Sequence, residues 1–242
     1  MAGTTSLRHG RHATAVVLLA LLAGCPRPAR PPPSAEPTAP PAAAGELPAD
    51  ARQFRLVPEE SLLSVLVFRA GPLAKAAHNH VIASRHLSGV VLLAPDVARS
   101  RFELHVPVGL LTVDEPELRR EAGPEFATQV PGSARDGTRR NMLSPAVLDG
   151  GQFPVVSAVS TAIEPAPGGA LATVQVSVRG QPRTLTVPLR YEQKGDELLA
   201  DGELTLRHGD LGLVPFSALL GAIQVHDEMT IRFRILARAT AG

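Results

Sequence analysis

Four stretches of this chain alternate apolar and polar residues one for one, and that period of two limits the fold more than any other feature. In RFELHVPV, Phe102, Leu104, Val106 and Val108 fall on one side, with Arg101, Glu103 and His105 on the other. LATVQVSVRG sets Val174, Val176 and Val178 against Thr173, Gln175 and Ser177. TLTVPLRY sets Leu185, Val187, Leu189 and Tyr191 against Thr184, Thr186 and Arg190, and EMTIRFRILAR sets Met229, Ile231, Phe233 and Ile235 against Thr230, Arg232 and Arg234. Successive side chains of a strand point to opposite faces, so each stretch reads as a strand with one buried and one wet face, the habit of antiparallel sheets. Further strands are expected at 62–69, 86–93, 155–163 and 198–207, with turn signals at PAPGG (165–169), RGQPR (179–183) and QKGDE (193–197). The expectation is an all-β, antiparallel fold of about eight strands. Closure into a barrel removes exposed edges and is preferred; a sandwich is the second arrangement.

Residues 114–146 break the alternation. Glu115 to Phe126 suits a short helix, with Pro116 in its first turn, Asp114 as its cap, and Glu115, Glu117, Glu121 and Glu125 on a solvated face. Ser133 to Leu143 suits a second helix, and Phe216 to Ala222 a third. The segment 114–146 is thus a helical excursion across the side or one end of the barrel.

Ahead of the strands, Arg8 and Arg11 precede ATAVVLLALLAG, an apolar run shorter than the ~20 residues of a spanning helix. A basic start, a short apolar core and a small-residue end make a secretory signal. Leu22-Ala23-Gly24-Cys25 resembles the lipobox of bacterial lipoproteins, which implies cleavage before Cys25 and its diacylation. Cys25 is the only cysteine, so a thioether-linked lipid accounts for it better than a disulfide does. PRPARPPPSAEPTAPPAAAGELPAD then reads as a semi-rigid spacer. The expected organisation is a signal peptide at 1–24, a lipidated Cys and Pro-rich tether at 25–52, and the barrel at 53–240. The expected location is the periplasmic face of the envelope, with the membrane reached through the anchor. A formal net charge of +1 and a pI near 8.1 carry no nucleic-acid footprint.

GPLAKAAHNHVIASRHLSG (71–89) gathers His78, His80 and His86 in a chain with eight histidines. His78 and His80 at i and i+2 form a candidate metal pair, and His86 would complete a three-His set, although Ala83-Ser84-Arg85 reads as a turn that parts it from the pair. The alternative is that the imidazoles line a pocket or its rim. In RDGTRR, Arg135, Arg139 and Arg140 suit an anionic headgroup or, equally, the surface of a helix. No G-x-S-x-G, P-loop, H-E-x-x-H or dinucleotide fingerprint is present, and no spacing pairs a nucleophile with a base, so no catalysis and no cofactor are expected. Aromatics at 3%, with Ala158, Ala162, Ala172 and Gly202 at strand positions, favour room inside the barrel. Asp210-Leu211-Gly212 reads as a turn at the rim.

Four segments, in order, carry a resemblance: HLSGVVLL (86–93), RRNMLSPAVLDGGQFPVVSAVS (139–160), VSVRGQPRTLTVPLRY (176–191) and ADGELTLRHGDLGL (200–213). Together they resemble the YceI-like family across about Phe54 to Ala239, with Arg140-Asn141 where that family usually has Arg-Asp. The resemblance implies an extended lipocalin-like barrel that binds a lipid or polyisoprenoid. The candidate ligand residues at pocket or rim are His78, His80, Arg139, Arg140 and Asn141, and the expected partner is an isoprenoid-like lipid. The alternatives are a metal-binding protein or metal-dependent enzyme using His78 and His80, and a closed barrel that serves as an interaction scaffold for a protein partner.

Overall fold

In the computed structural model, which describes residues 50–240, twelve strands join one sheet and every pairing is antiparallel. They are β1 (Arg52–Leu56), β2 (Leu62–Ala70), β3 (His80–Ser84), β4 (Ser88–Leu93), β5 (Arg101–Pro107), β6 (Thr112–Val113), β7 (Val155–Ala166), β8 (Gly169–Val178), β9 (Gln181–Lys194), β10 (Glu197–Arg207), β11 (Ser217–Ala218) and β12 (Ile223–Ala239). Three walls of the barrel are broken strands. β1 and β2 both lie along β12, through Phe54↔Ala239 and Leu63↔Phe233; β4 and β3 continue alongside them, and β5 and β6 alongside those. With β7, β8, β9, β10 and β12 these make eight walls, closed where β12 meets β1 and β2. Pro58, without an N–H, opens the turn Pro58–Glu60 that breaks the first wall. Buried Ser61 spans that break, its hydroxyl donating to the Val57 carbonyl at 2.7 Å and accepting from the Leu236 N–H at 3.1 Å.

The alternation points inward as expected. Every apolar residue named above for the four stretches faces the interior cavity except Val178, which is buried without bordering it. The strands at 62–69, 155–163 and 198–207 are found within β2, β7 and β10. Gly89, in HLSGVVLL, sits at φ +149°, and a Cβ there would lie 2.1 Å from the Glu103 carbonyl oxygen across the ladder, so this position takes no side chain.

Two helices form the excursion, α1 (Pro116–Ala122) and α2 (Gly132–Leu143). α1 lies outside the barrel, where Leu118 and, beyond it, Phe126 pack on the outward faces of Leu66, Val81 and Ala83. β2 and β3 are therefore covered on both faces. α2 turns Thr138, Asn141 and Met142 toward the cavity.

Four expectations need correction. Asp114 is not a cap: Glu115 takes that position, while Asp114 is fully buried at φ +56°. Ala83 and Ser84 belong to a strand, and the bend follows at 85–87. No helix covers 216–222; β11 is followed by a single turn, Leu219–Gly221, in which Leu219 and Leu220 have φ of +50° and +55°. Gly202 does not leave space, because the Phe233 ring lies 2.5 Å from where its Cβ would be. The signal, Cys25 and tether lie outside the described residues.

Candidate ligand-binding site

The barrel encloses a cavity of about 550 Å³, within the usual range for small-molecule sites. Its wall is mostly aliphatic, and Ala158 alone of the four small residues singled out above borders it. At one end the wall becomes polar. His78 and His80 meet there with ring centroids 6.3 Å apart and a 72° interplanar angle, and the Thr138 hydroxyl lies 3.2 Å from His80 Nε2. Asn141, three residues on and hence on the same helix face, also borders the cavity, as does Arg69.

β3 places His80 inward by strand alternation, in register with Val67 of β2. Behind it sits Asp114. Its Oδ2 lies 2.6 Å from His80 Nδ1; its Oδ1 accepts from the Val81 N–H at 2.9 Å and from Arg119 at 2.6 Å. Burial pushes the Asp114 carboxyl upward, but hydrogen bonds from His80, the Val81 N–H and Arg119, with the charge of His80, hold it below the ordinary carboxylate value. An ionised carboxylate only accepts, so Nδ1 of His80 carries a proton and Nε2 is the atom turned to Thr138. Arg119 also donates to the Asn79 and Thr128 carbonyls, at 2.7 and 2.8 Å. Asn79 in turn accepts from the Arg69 N–H at 3.0 Å and donates to the Glu125 carbonyl at 3.1 Å. The middle residue of HNH thus fastens the barrel rim to the excursion, while the two histidines face the cavity.

His78 differs from His80. Its Nδ1 is buried and has no hydrogen-bond partner. Burial first, then the positive charges of His80 and Arg119, lower its pKa below the ordinary histidine value, so its ring is neutral at pH 7. A neutral imidazole bordering the end of an apolar cavity adds a polar side chain there without adding a charge.

The other candidates lie elsewhere. Arg139 donates to the Leu111 and Gly109 carbonyls, pinning α2 to the chain between β5 and β6, and Arg140 is exposed; neither borders the cavity. His86 does not border the cavity either; its N–H meets the Ser84 hydroxyl at 3.3 Å. Among the described residues, no three His, Cys, Asp or Glu side chains converge as metal ligands. Asp114, Thr138 and buried His208, whose Nδ1 lies 2.8 Å from the Asp227 carbonyl oxygen, were not anticipated. Asp114 was legible only as a helix cap, because no local pattern pairs it with a histidine 34 positions earlier.

A closed antiparallel barrel with an apolar cavity and one polar end defines a small-ligand-binding class of fold. Within it, the family described as the YceI-like domain matches residues 76–237, and the chain belongs to that family. Two solved structures share the fold. BcnA from Burkholderia cenocepacia has a TM-score of 0.55 at 18% identity, covering 75% of this chain and 98% of its own. A polyisoprenoid binding domain from Saccharophagus degradans, implicated in plant cell wall breakdown, has a TM-score of 0.50 at 10% identity, covering 77% and 98%. No curated protein matches the chain.

Proposed function

We propose that this protein is a lipid-anchored carrier of the bacterial envelope that holds one amphiphile, isoprenoid-like in its tail, without chemically changing it. The observation that carries the reading is the cavity of about 550 Å³, lined mostly by aliphatic side chains, with His78, His80, Thr138 and Asn141 gathered at one end. The tail lies among Leu104, Val176, Val187 and Ile231, and the head meets the polar end where His78, His80, Thr138 and Asn141 border the cavity. A barrel filled by its own side chains, acting as a scaffold, is disfavoured by the same cavity. The fold shared with a polyisoprenoid binding domain supports the choice of tail. Cys25 supplies the anchor and the Pro-rich stretch to residue 52 the spacer.

Native mass spectrometry of protein purified from bacterial envelopes tests the carrier. A discrete added mass that leaves on denaturation, with a lipid fragmentation pattern, is the expected result. A bare mass, with no uptake of an added prenol, would overturn it. Cys25→Ser tests the anchor: the protein should leave the membrane fraction while remaining exported.

A further inference from the structure

One loop of the barrel is apolar on both of its sides. Between β10 and β12, Leu211, Leu213 and Phe216 border the cavity, while Val214, Leu219 and Leu220 are 74%, 67% and 108% exposed. Leu73, 48% exposed, joins them from the β2–β3 loop, where its N–H donates to the Ala222 carbonyl at 2.8 Å. Leu219 and Leu220 sit at φ of +50° and +55°, a region costly for bulky residues and ordinarily given to Gly or Asn. Two adjacent leucines are thus held outward against both hydration and backbone preference.

The wall beneath this loop is incomplete. The β9–β10 ladder runs from Glu197↔Lys194 only to Asp201↔Arg190. Beyond it stands Pro188, which has no N–H, and the turn His208–Leu211 lies beside β9, where Gly212 meets the Arg183 guanidinium. The loop therefore borders the cavity at a place where no backbone ladder seals the barrel.

We propose that the loop 211–222, together with Leu73, inserts into the hydrocarbon edge of a lipid bilayer, so that the cavity exchanges its ligand directly with the membrane. This rests on the carrier reading above. An amphiphile suited to the cavity resides in a bilayer, not in water. A few leucines on a projecting tip fit between lipid headgroups, whereas a stable protein interface needs roughly 800 Å² from each partner. The surrounding charges are mixed: Lys75 and Arg207 against Asp210, Asp227 and Glu228, all exposed. Insertion is then driven by apolar contact and needs no anionic lipid. The anchor permits it. β1 begins at the opposite end of the barrel from Ile223, but the 27 residues from Cys25 to Arg52 span at most ~90 Å, more than the ~55 Å rise of the 17 residues of β12.

The chain has no Trp, which makes a single introduced Trp a clean reporter. The lipidated full-length protein is reconstituted on phosphatidylcholine vesicles as Leu220→Trp, and separately as Asp196→Trp at the opposite end. Brominated phosphatidylcholine should quench and blue-shift Leu220→Trp and leave Asp196→Trp unaffected. No quenching at Leu220→Trp, or equal quenching at both, overturns the proposal. In a second arm, Leu219→Glu/Leu220→Glu should take up radiolabelled geranylgeraniol from vesicles at least 10-fold more slowly than the unaltered protein, yet equally fast from a cyclodextrin complex. Unchanged uptake from vesicles overturns the proposal. If the unaltered protein takes up none from either source, the carrier reading fails on its own account, and the quenching pair still decides the docking.

Discussion

With its carboxylate fully buried and accepting from His80, the Val81 N–H and Arg119, Asp114 cannot become an amide without leaving Arg119 buried against an uncharged partner. Breaking one side of a buried ion pair costs about 3–5 kcal/mol, so Asp114→Asn should lower the free energy of urea unfolding by that amount. Glu117→Gln, which breaks the exposed Arg120–Glu117 pair, should cost less than about 0.5 kcal/mol in the same assay. The pH dependence follows from the directions of the two shifts. Asp114 stays ionised in the fold below the point, near ~3.9, where the unfolded chain takes up its proton. Its contribution is therefore present above that pH and lost as pH falls through the lower folded value. His78 acts in the same sense at a higher pH: the unfolded ring protonates near ~6.5 while the folded ring stays neutral, so stability falls as pH drops below that and levels out beneath the folded pKa. Urea midpoints measured from pH 8 to 3 should show both declines; His78→Phe should remove the upper and Asp114→Asn the lower. At this scale the sequence was legible only in part. HNH lies where the cavity wall turns polar, but which of the three residues face the cavity depends on Asp114 and Thr138, which only the fold brings to it.

Elements were legible where alternation ran long. β5, β8, β9 and β12 each bury one face against the cavity, so the pattern and the burial coincide. β3 was missed because α1 covers its outer face, leaving Val81, Ile82, Ala83 and Ser84 all buried and no alternation to read. β1 is five residues long, too short for a period to show. The turn 219–221 resembled a helix because its apolar residues are outward for a reason other than a buried helix face. The motif glycine of β4 follows a different rule, strand contact rather than pattern. Gly89→Ala forces a Cβ to 2.1 Å from the Glu103 carbonyl oxygen at φ +149°, and neither strand can withdraw without breaking the β4–β5 ladder. The expected loss is at least ~3 kcal/mol, seen in urea titration as a lower midpoint with an unchanged slope.

For the whole molecule, the tension is between a barrel stable enough to close and a centre left unfilled. Protein interiors are packed near crystal density, so a cavity of about 550 Å³ forgoes contacts that aliphatic side chains would otherwise make. A bound tail supplies them. Ligand that binds only the folded state adds RT ln(1 + [L]/Kd), about 2.7 kcal/mol at a hundredfold excess over Kd. At ~2–4 °C per kcal/mol for a domain of this size, delipidated protein given saturating geranylgeraniol should melt about 5–10 °C higher. With no Trp and one Tyr, far-UV circular dichroism is the suitable probe. Ala158→Phe separates ligand filling from nonspecific stabilisation. Ala158 borders the cavity between Leu104 and Val176, so a ring there projects into the empty space and not into a packed neighbour. The variant should match or exceed the melting temperature of the unaltered protein without ligand and gain almost nothing when the prenol is added. An equal rise in both proteins would place the prenol outside the barrel.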